Sequence, residues 1–187
     1  MDILRAARML FWKHGFKRIT IEEICREAGV SKMTFYRFFP HKLELAKTVM
    51  KKVFDENITE FRNILTSEQP APEKLKAMLQ LKIKGTHDIS PEFMQDFYNS
   101  QDTGLMQFIA EQSALVWNEM VIDFREAQQK GVFRKDLNLE FFILFARKSM
   151  EVATDDHFKN LFSTPEELIL ELTNLFIYGI APREDEN

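Results

Sequence analysis

The chain has 187 residues, 45% hydrophobic and 29% charged, with six Gly, six Pro and one Cys. That composition suits one globular domain, or a small domain joined to a larger one, and excludes collagen-like, disordered and disulfide-scaffolded chains. The net charge of −4 argues against nucleic acid until it is divided: residues 1–52 hold 12 Lys/Arg against 5 Asp/Glu (+7), and residues 53–187 hold 13 against 24 (−11).

Cys25 has no cysteine to pair with, so a reducing compartment is the simpler setting. The first residues lack the charged-then-apolar order of a signal peptide, and no uncharged apolar run reaches the length of a membrane span. A cytoplasmic protein with no membrane partner is expected.

The apolar periodicity is helical throughout. The first helix carries Ile3, Ala7, Leu10, Phe11 and His14 on one face and stops before Gly15. Thr20 and Glu23 form a capping box for the second, with Ile19 and Ile24 as its staple. It runs to Ala28, where Gly29 supplies a left-handed turn. Ser31 caps a short third helix to Phe38, stapled by Val30 and Phe35, and Pro40 stops it. A long fourth helix is predicted from His41 to Thr66, and a fifth from Pro72 to Lys84, ahead of Gly85. Ser90-Pro91 opens a sixth, residues 104–130 form a long seventh before Gly131, and Asn138 caps an eighth to about Thr154. Thr164-Pro-Glu-Glu167 is a capping box for a last helix to about Tyr178. The fold expected is all-α with about nine helices; a short segment over 156–162 would make ten.

Helices two and three, joined by a tight turn at Gly29, form a helix-turn-helix pattern. Cys25 and Ala28 are small enough for close packing, and Phe35, Phe38 and Phe39 look inward. Lys32, Met33, Thr34 and Arg37 fall on the free face, where side chains at the start of the helix reach base edges in the major groove.

The run Thr20-Ile-Glu-Glu-Ile-Cys-Arg-Glu-Ala-Gly-Val-Ser-Lys-Met-Thr-Phe-Tyr-Arg-Phe-Phe-Pro-His-Lys-Leu-Glu-Leu45 resembles the signature of TetR-type transcriptional regulators. So does Gly15-Phe16, and the likeness covers about the first 50 residues. Helix order, the turn at 130–136 and the ending Leu175-Phe-Ile-Tyr-Gly179 extend it less specifically. The resemblance implies a DNA-binding head over residues 1–48 and an effector-binding and dimerisation body over 49–187. It places Lys32, Met33 and Thr34 toward bases, and Tyr36 and Lys42 toward phosphates, with Thr20 at the start of helix two; Ser31 and Arg37 complete the DNA set. Backbone N–H groups at the start of helix four add an anion site. The chain departs from the pattern at the cap of helix four, where His41 replaces a Ser, Asn or Asp and is expected to be solvated. It also begins directly in helix one, so no contact from a basic arm is expected.

The body is acidic and rich in Phe and Met. Phe54, Phe61, Met78, Leu81, Phe93, Phe97, Tyr98, Phe108, Trp117, Met120 and Phe124 each suit a core. Collectively they suit a cavity for an unknown apolar or amphipathic effector, as the resemblance implies. His87, Asn99, Gln112, Asn118 and Asp123 are polar candidates within it. Phe141, Phe142, Phe145 and Met150 line one late helix, and Leu168, Leu172, Leu175 and Phe176 the other. The family arrangement pairs these helices across a two-fold axis, with Phe141, Phe145, Leu168, Leu172, Leu175 and Phe176 at the interface.

No Gly-rich phosphate loop or nucleophile motif is present, and the four histidines lack ligand spacing, so neither catalysis, metal nor cofactor is expected. The expected function is a homodimeric repressor of a palindromic operator, released by its effector. A helical small-molecule carrier without operator function, or an activator of the same fold, are the alternatives.

Overall fold

A computed structural model describes residues 2–98, 103–152 and 160–182. Among them it contains nine helices and no strand. They are α1 (Ile3–His14), α2 (Ile21–Ala28), α3 (Lys32–Phe38), α4 (Lys42–Thr66), α5 (Ala71–Thr86), α6 (Pro91–Tyr98), α7 (Thr103–Gln129), α8 (Leu139–Val152) and α9 (Pro165–Ile180). Asn99, His157 and most of the segment 156–162 lie outside the described residues, as do the side chains of Phe97, Tyr98 and Met150.

Local cap chemistry accounts for most helix starts. The Thr20 hydroxyl accepts from Glu23 N at 3.2 Å, while Glu23 Oε2 accepts from Thr20 N at 2.8 Å. Ser31 Oγ accepts from Thr34 N, Asn138 Oδ1 from Phe141 N, and Thr164 Oγ1 from Glu167 N. These bonds satisfy amide donors that have no partner inside the helix. At α4 the cap is His41, whose Nδ1 takes Glu44 N at a long 3.4 Å.

One stop differs from expectation. Helix α5 runs through Gly85 to Thr86, because a Cβ on Gly85 would meet only Asn57 Oδ1 at 3.7 Å and the residue needs no positive φ. The reversal falls instead on Asp88, at φ 64°, a residue type that tolerates the left-handed region.

The chain divides into two compact units: residues 1–55 with 88–113, and residues 56–87 with 114–187. In the first, α1 packs on α2 and α6, and α2 on α3. Ala6, Ala7, Phe11, Ile24, Phe35, Leu45 and Ala46 are fully enclosed there. In the second, α5 packs on α9. Its core joins Leu65, Leu75, Met78, Phe124, Phe133, Phe142 and Ile143. The loop between α7 and α8 is tied to this unit by two side chains. Gln128 Nε2 donates to the carbonyls of Arg134, Lys135 and Leu137, and Arg134 Nε donates to Gly179 O at 2.7 Å, at the end of α9.

Candidate nucleic-acid interface

The head is built so that one face of α3 is free. Phe35 is fully buried, with its ring 5.4 Å from that of Tyr36 and 5.8 Å from that of Phe39. Cys25 and Ala28 are buried under it, and burial raises the Cys25 thiol above its ordinary pKa, as expected of a packing residue rather than a reactive one. Around α3, Lys32, Met33, Tyr36 and Arg37 are exposed, Met33 to 84%.

Phe38 is also exposed, to 59%, although the sequence put it inward. Seven residues make only two turns; Phe35 takes the buried stripe and Phe39, half-buried, closes it from beyond the helix end. Phe38 is left outside with the Arg37 guanidinium 5.0 Å above its ring.

Other members of the DNA set have partners within the head. The Ser31 and Thr34 hydroxyls lie 3.0 Å apart, and Thr20 is held in its capping box with Glu23. The Thr20 backbone N–H holds the Glu23 carboxyl below the usual range. A lowered folded pKa means the box is intact above the ordinary carboxylate range and is lost only as acid passes the lowered value. Lys32 is ion-paired with Glu22 of α2. The hydrogen bond between them holds Glu22 below the ordinary carboxylate range and Lys32 above the ordinary lysine range.

Lys42 is placed unlike its expected role. Its Nζ donates to Ile19 O at 2.7 Å, Phe16 O at 2.8 Å and Lys17 O at 3.2 Å, and lies 4.4 Å over the Phe16 ring. An ammonium has three donors, and these carbonyls take all three. The side chain therefore fastens the first turn of α4 to the turn between α1 and α2. On the same turn, Gly15 sits at φ 78°, and a Cβ there would come within 2.6 Å of Asp96 Oδ2. Asp96 Oδ2 accepts from Lys17 N at 2.8 Å, and Trp12 packs its ring 4.4 Å from Phe93. Asp96 escaped the sequence reading; Gly15, which admits α6 so close, was the local signal. Lys42→Met should lower head stability by about 1.5–3 kcal/mol, the usual worth of hydrogen bonds to a charged group, read by thermal unfolding. An unchanged melting temperature with a shallower salt dependence of DNA binding would restore the phosphate role.

Residues 3–49 match the family model described as bacterial regulatory proteins, tetR family. The first three helices and the start of α4 are thus similar to the helix-turn-helix head of that family. The nucleoid occlusion factor SlmA of Photobacterium profundum is 33% identical over 81 residues, which are 43% of this chain and 41% of that one, so the chain spans about two fifths of that relative's length. The transcriptional regulator EthR of Mycolicibacterium smegmatis is 25% identical over an alignment of 198 positions that covers 96% of this chain and 86% of that one. The fatty acid degradation regulator FadR of Bacillus halodurans shares the fold, with a TM-score of 0.69 at 19% identity over 97% of this chain and 95% of that one. No helix among the described residues is long and apolar enough to cross a membrane.

The residues expected to line a cavity are divided between the two units. Met78 and Phe124 belong to the core of the second unit, and Phe61, Trp117 and Met120 pack against it. Phe124 stacks on Phe133 at 5.1 Å and tilts against Phe142 at 5.4 Å and Phe61 at 5.7 Å. Leu81 is half-buried in the same unit. Phe54, Phe93 and Phe108 fall in the first unit, where Phe93 is buried against Trp12. Asp123 is bound to Arg62 at 2.8 Å, with Glu119 on the same guanidinium at 3.1 Å; this is the work of an ion pair, not of an unoccupied ligand group. Gln112 is half-buried, and His87 and Asn118 are exposed.

The late helices carry apolar surface. Phe141, Leu144 and Phe145 on α8 and Leu175 and Tyr178 on α9 are between 52% and 76% exposed, and the Phe141 and Phe145 rings stack 5.9 Å apart. Leu172 and Phe176 are half-buried, and the Phe176 ring meets those of Phe142 and Phe145. Leu168 is buried within the chain at 4%, so it has no surface to give to an interface.

Proposed function

We propose that this protein is a homodimeric, ligand-responsive transcriptional repressor of the TetR type. Its head, residues 1–48, reads a palindromic operator; residues 49–187 pair the protomers and bind an apolar or amphipathic effector. The observation that carries the reading is the free face of α3, with Lys32, Met33, Tyr36 and Arg37 exposed above a buried Phe35. The +7 charge of residues 1–52 supports it, since phosphate neutralisation supplies most non-specific affinity. The exposed rings of α8 and the Leu175–Tyr178 face of α9 support pairing, because a monomer would leave them in water. Two such heads, one helical turn of about 34–36 Å apart, would read two half-sites.

Release works as a population shift: effector binds more tightly to the body conformation whose heads mismatch the operator, and only that difference in affinity moves the equilibrium. Helix α4 is the lever, running from the Lys42 fastening to the half-buried Phe54 and Phe61. An apolar effector accords with the Phe- and Met-rich body and with a fold neighbour that regulates fatty acid degradation.

The test is a duplex selected from a random pool, bound by the full chain over a series of salt concentrations. Binding should weaken linearly in log–log form, and Arg37→Ala should reduce the slope by about one phosphate. Duplex binding that ignores salt, or none, overturns the reading. The nucleoid occlusion factors among the relatives support a second one, a DNA-bound factor acting away from promoters. Genome-wide footprints confined to promoters decide for the repressor; scattered footprints decide for the other.

A further inference from the structure

An ion pair between Glu22 and Lys32 reaches from α2 to the reading helix, and repressor action does not by itself require it. Both side chains are more than half exposed, at 58% and 55%, so the pair is not a buried structural bridge. It sits beside Met33 at the start of α3, the end that enters the groove. A lone carboxylate there would repel phosphate; paired with an ammonium, it is neutralised and held in place. The second acidic residue of this turn, Glu23, is already spent on the cap, whereas Glu22 has no backbone donor to satisfy beyond its own.

The pair presents an acceptor beside a donor. The major-groove edge of a G·C pair presents the complement: the N4 amino group of C as donor, and O6 and N7 of G as acceptors, with N4 and O6 neighbours in the base pair. Lys32 can donate to G while Glu22 accepts from C. Reversal to C·G places the carboxylate against acceptors, an A·T pair sets the T O4 acceptor against it, and a T·A pair offers Lys32 a single acceptor on T in place of two on G. We infer that Glu22 is a specificity-determining residue, and that Glu22 and Lys32 read one G·C base pair of the operator as a unit. This rests on the DNA-binding reading above.

The experiment uses the full chain and the operator selected as above. Wild type, E22Q, K32A and the double variant are titrated by fluorescence anisotropy against that operator, against the three single-pair replacements at each position, and against a non-specific duplex. Wild type should prefer G·C at one position by about tenfold, within the usual worth of a good base contact. E22Q and K32A should each reduce that preference to about twofold, and the double variant should lose no more than either alone, as coupled residues do. E22Q should bind the non-specific duplex at least as tightly as wild type, because a negative charge is gone. Three outcomes overturn the inference: E22Q tightens binding everywhere and keeps the preference; the two variants relax different positions; or their losses add. If wild type binds no duplex in a salt-dependent way, the regulator reading falls and takes this inference with it. If it binds normally and only E22Q disappoints, the inference alone falls.

Discussion

On the proposed homodimer, Phe145→Glu combined with Leu175→Glu should give monomers and weaken operator binding by about 10²–10⁴-fold, the advantage of linking two binding modules. Phe145 is 52% exposed and Leu175 63% exposed in the single chain, so neither carboxylate disturbs the chain's own core. In a dimer both would be enclosed. Each apolar side chain fully removed from water contributes about 1.5–3 kcal/mol, and a carboxylate in its place must be desolvated without a partner. Sedimentation should report the mass of one chain, with helicity unchanged by circular dichroism. A dimer that persists would move the interface elsewhere. Leu172→Glu is a poorer choice, because Leu172 is half-buried and its replacement would mix folding with assembly.

Phe35→Ala should cost about 3–5 kcal/mol, the range for truncating a buried aromatic side chain. Phe35 is fully enclosed and its ring contacts those of Tyr36 and Phe39, so the cavity would open directly under the reading helix. A head of this size has only a few kcal/mol to lose. DNA binding should vanish. The fluorescence of Trp12, buried in the first unit, should change before that of Trp117, which packs in the second. A loss under about 1 kcal/mol would mean that Phe35 is not the keystone of the head. Phe35→Leu should retain most of the binding.

What could be read from sequence is what short-range chemistry decides. Thr20, Ser31, Asn138 and Thr164 cap helices within three residues of themselves, and all four were visible before any coordinates. The buried stripe of α2 and the burial of Phe35 on α3 followed from periodicity, whereas Phe38, expected inward, lies exposed. Contacts between segments distant in the chain were not visible. Asp96 meets Lys17 across 79 positions, and no spacing rule ties them. Lys42 carries the family's motif, but its ammonium is spent on carbonyls 23 to 26 residues earlier. Glu22 looked like an ordinary first-turn acid, favourable to the helix dipole; only the approach of α3 gave it a partner. Gly85 misled because glycine ends helices often, yet here Asp88 made the reversal. The aromatic residues of the body resisted assignment for another reason: a ring that packs and a ring that lines a cavity have the same sequence signal.

The fastening of the turn around Gly15 bears on how this protein could be re-engineered. Its two anchors come from opposite directions along the chain, Lys42 from just beyond the reading helix and Asp96 from α6. A graft made by cutting after residue 48 would carry the first anchor and leave the second behind. The transplanted segment would then expose Trp12 where Phe93 had covered it, and Lys17 N–H where a carboxylate had received it. Exchange of DNA specificity between relatives is therefore safer by replacing side chains on α2 and α3 in place than by moving the segment whole.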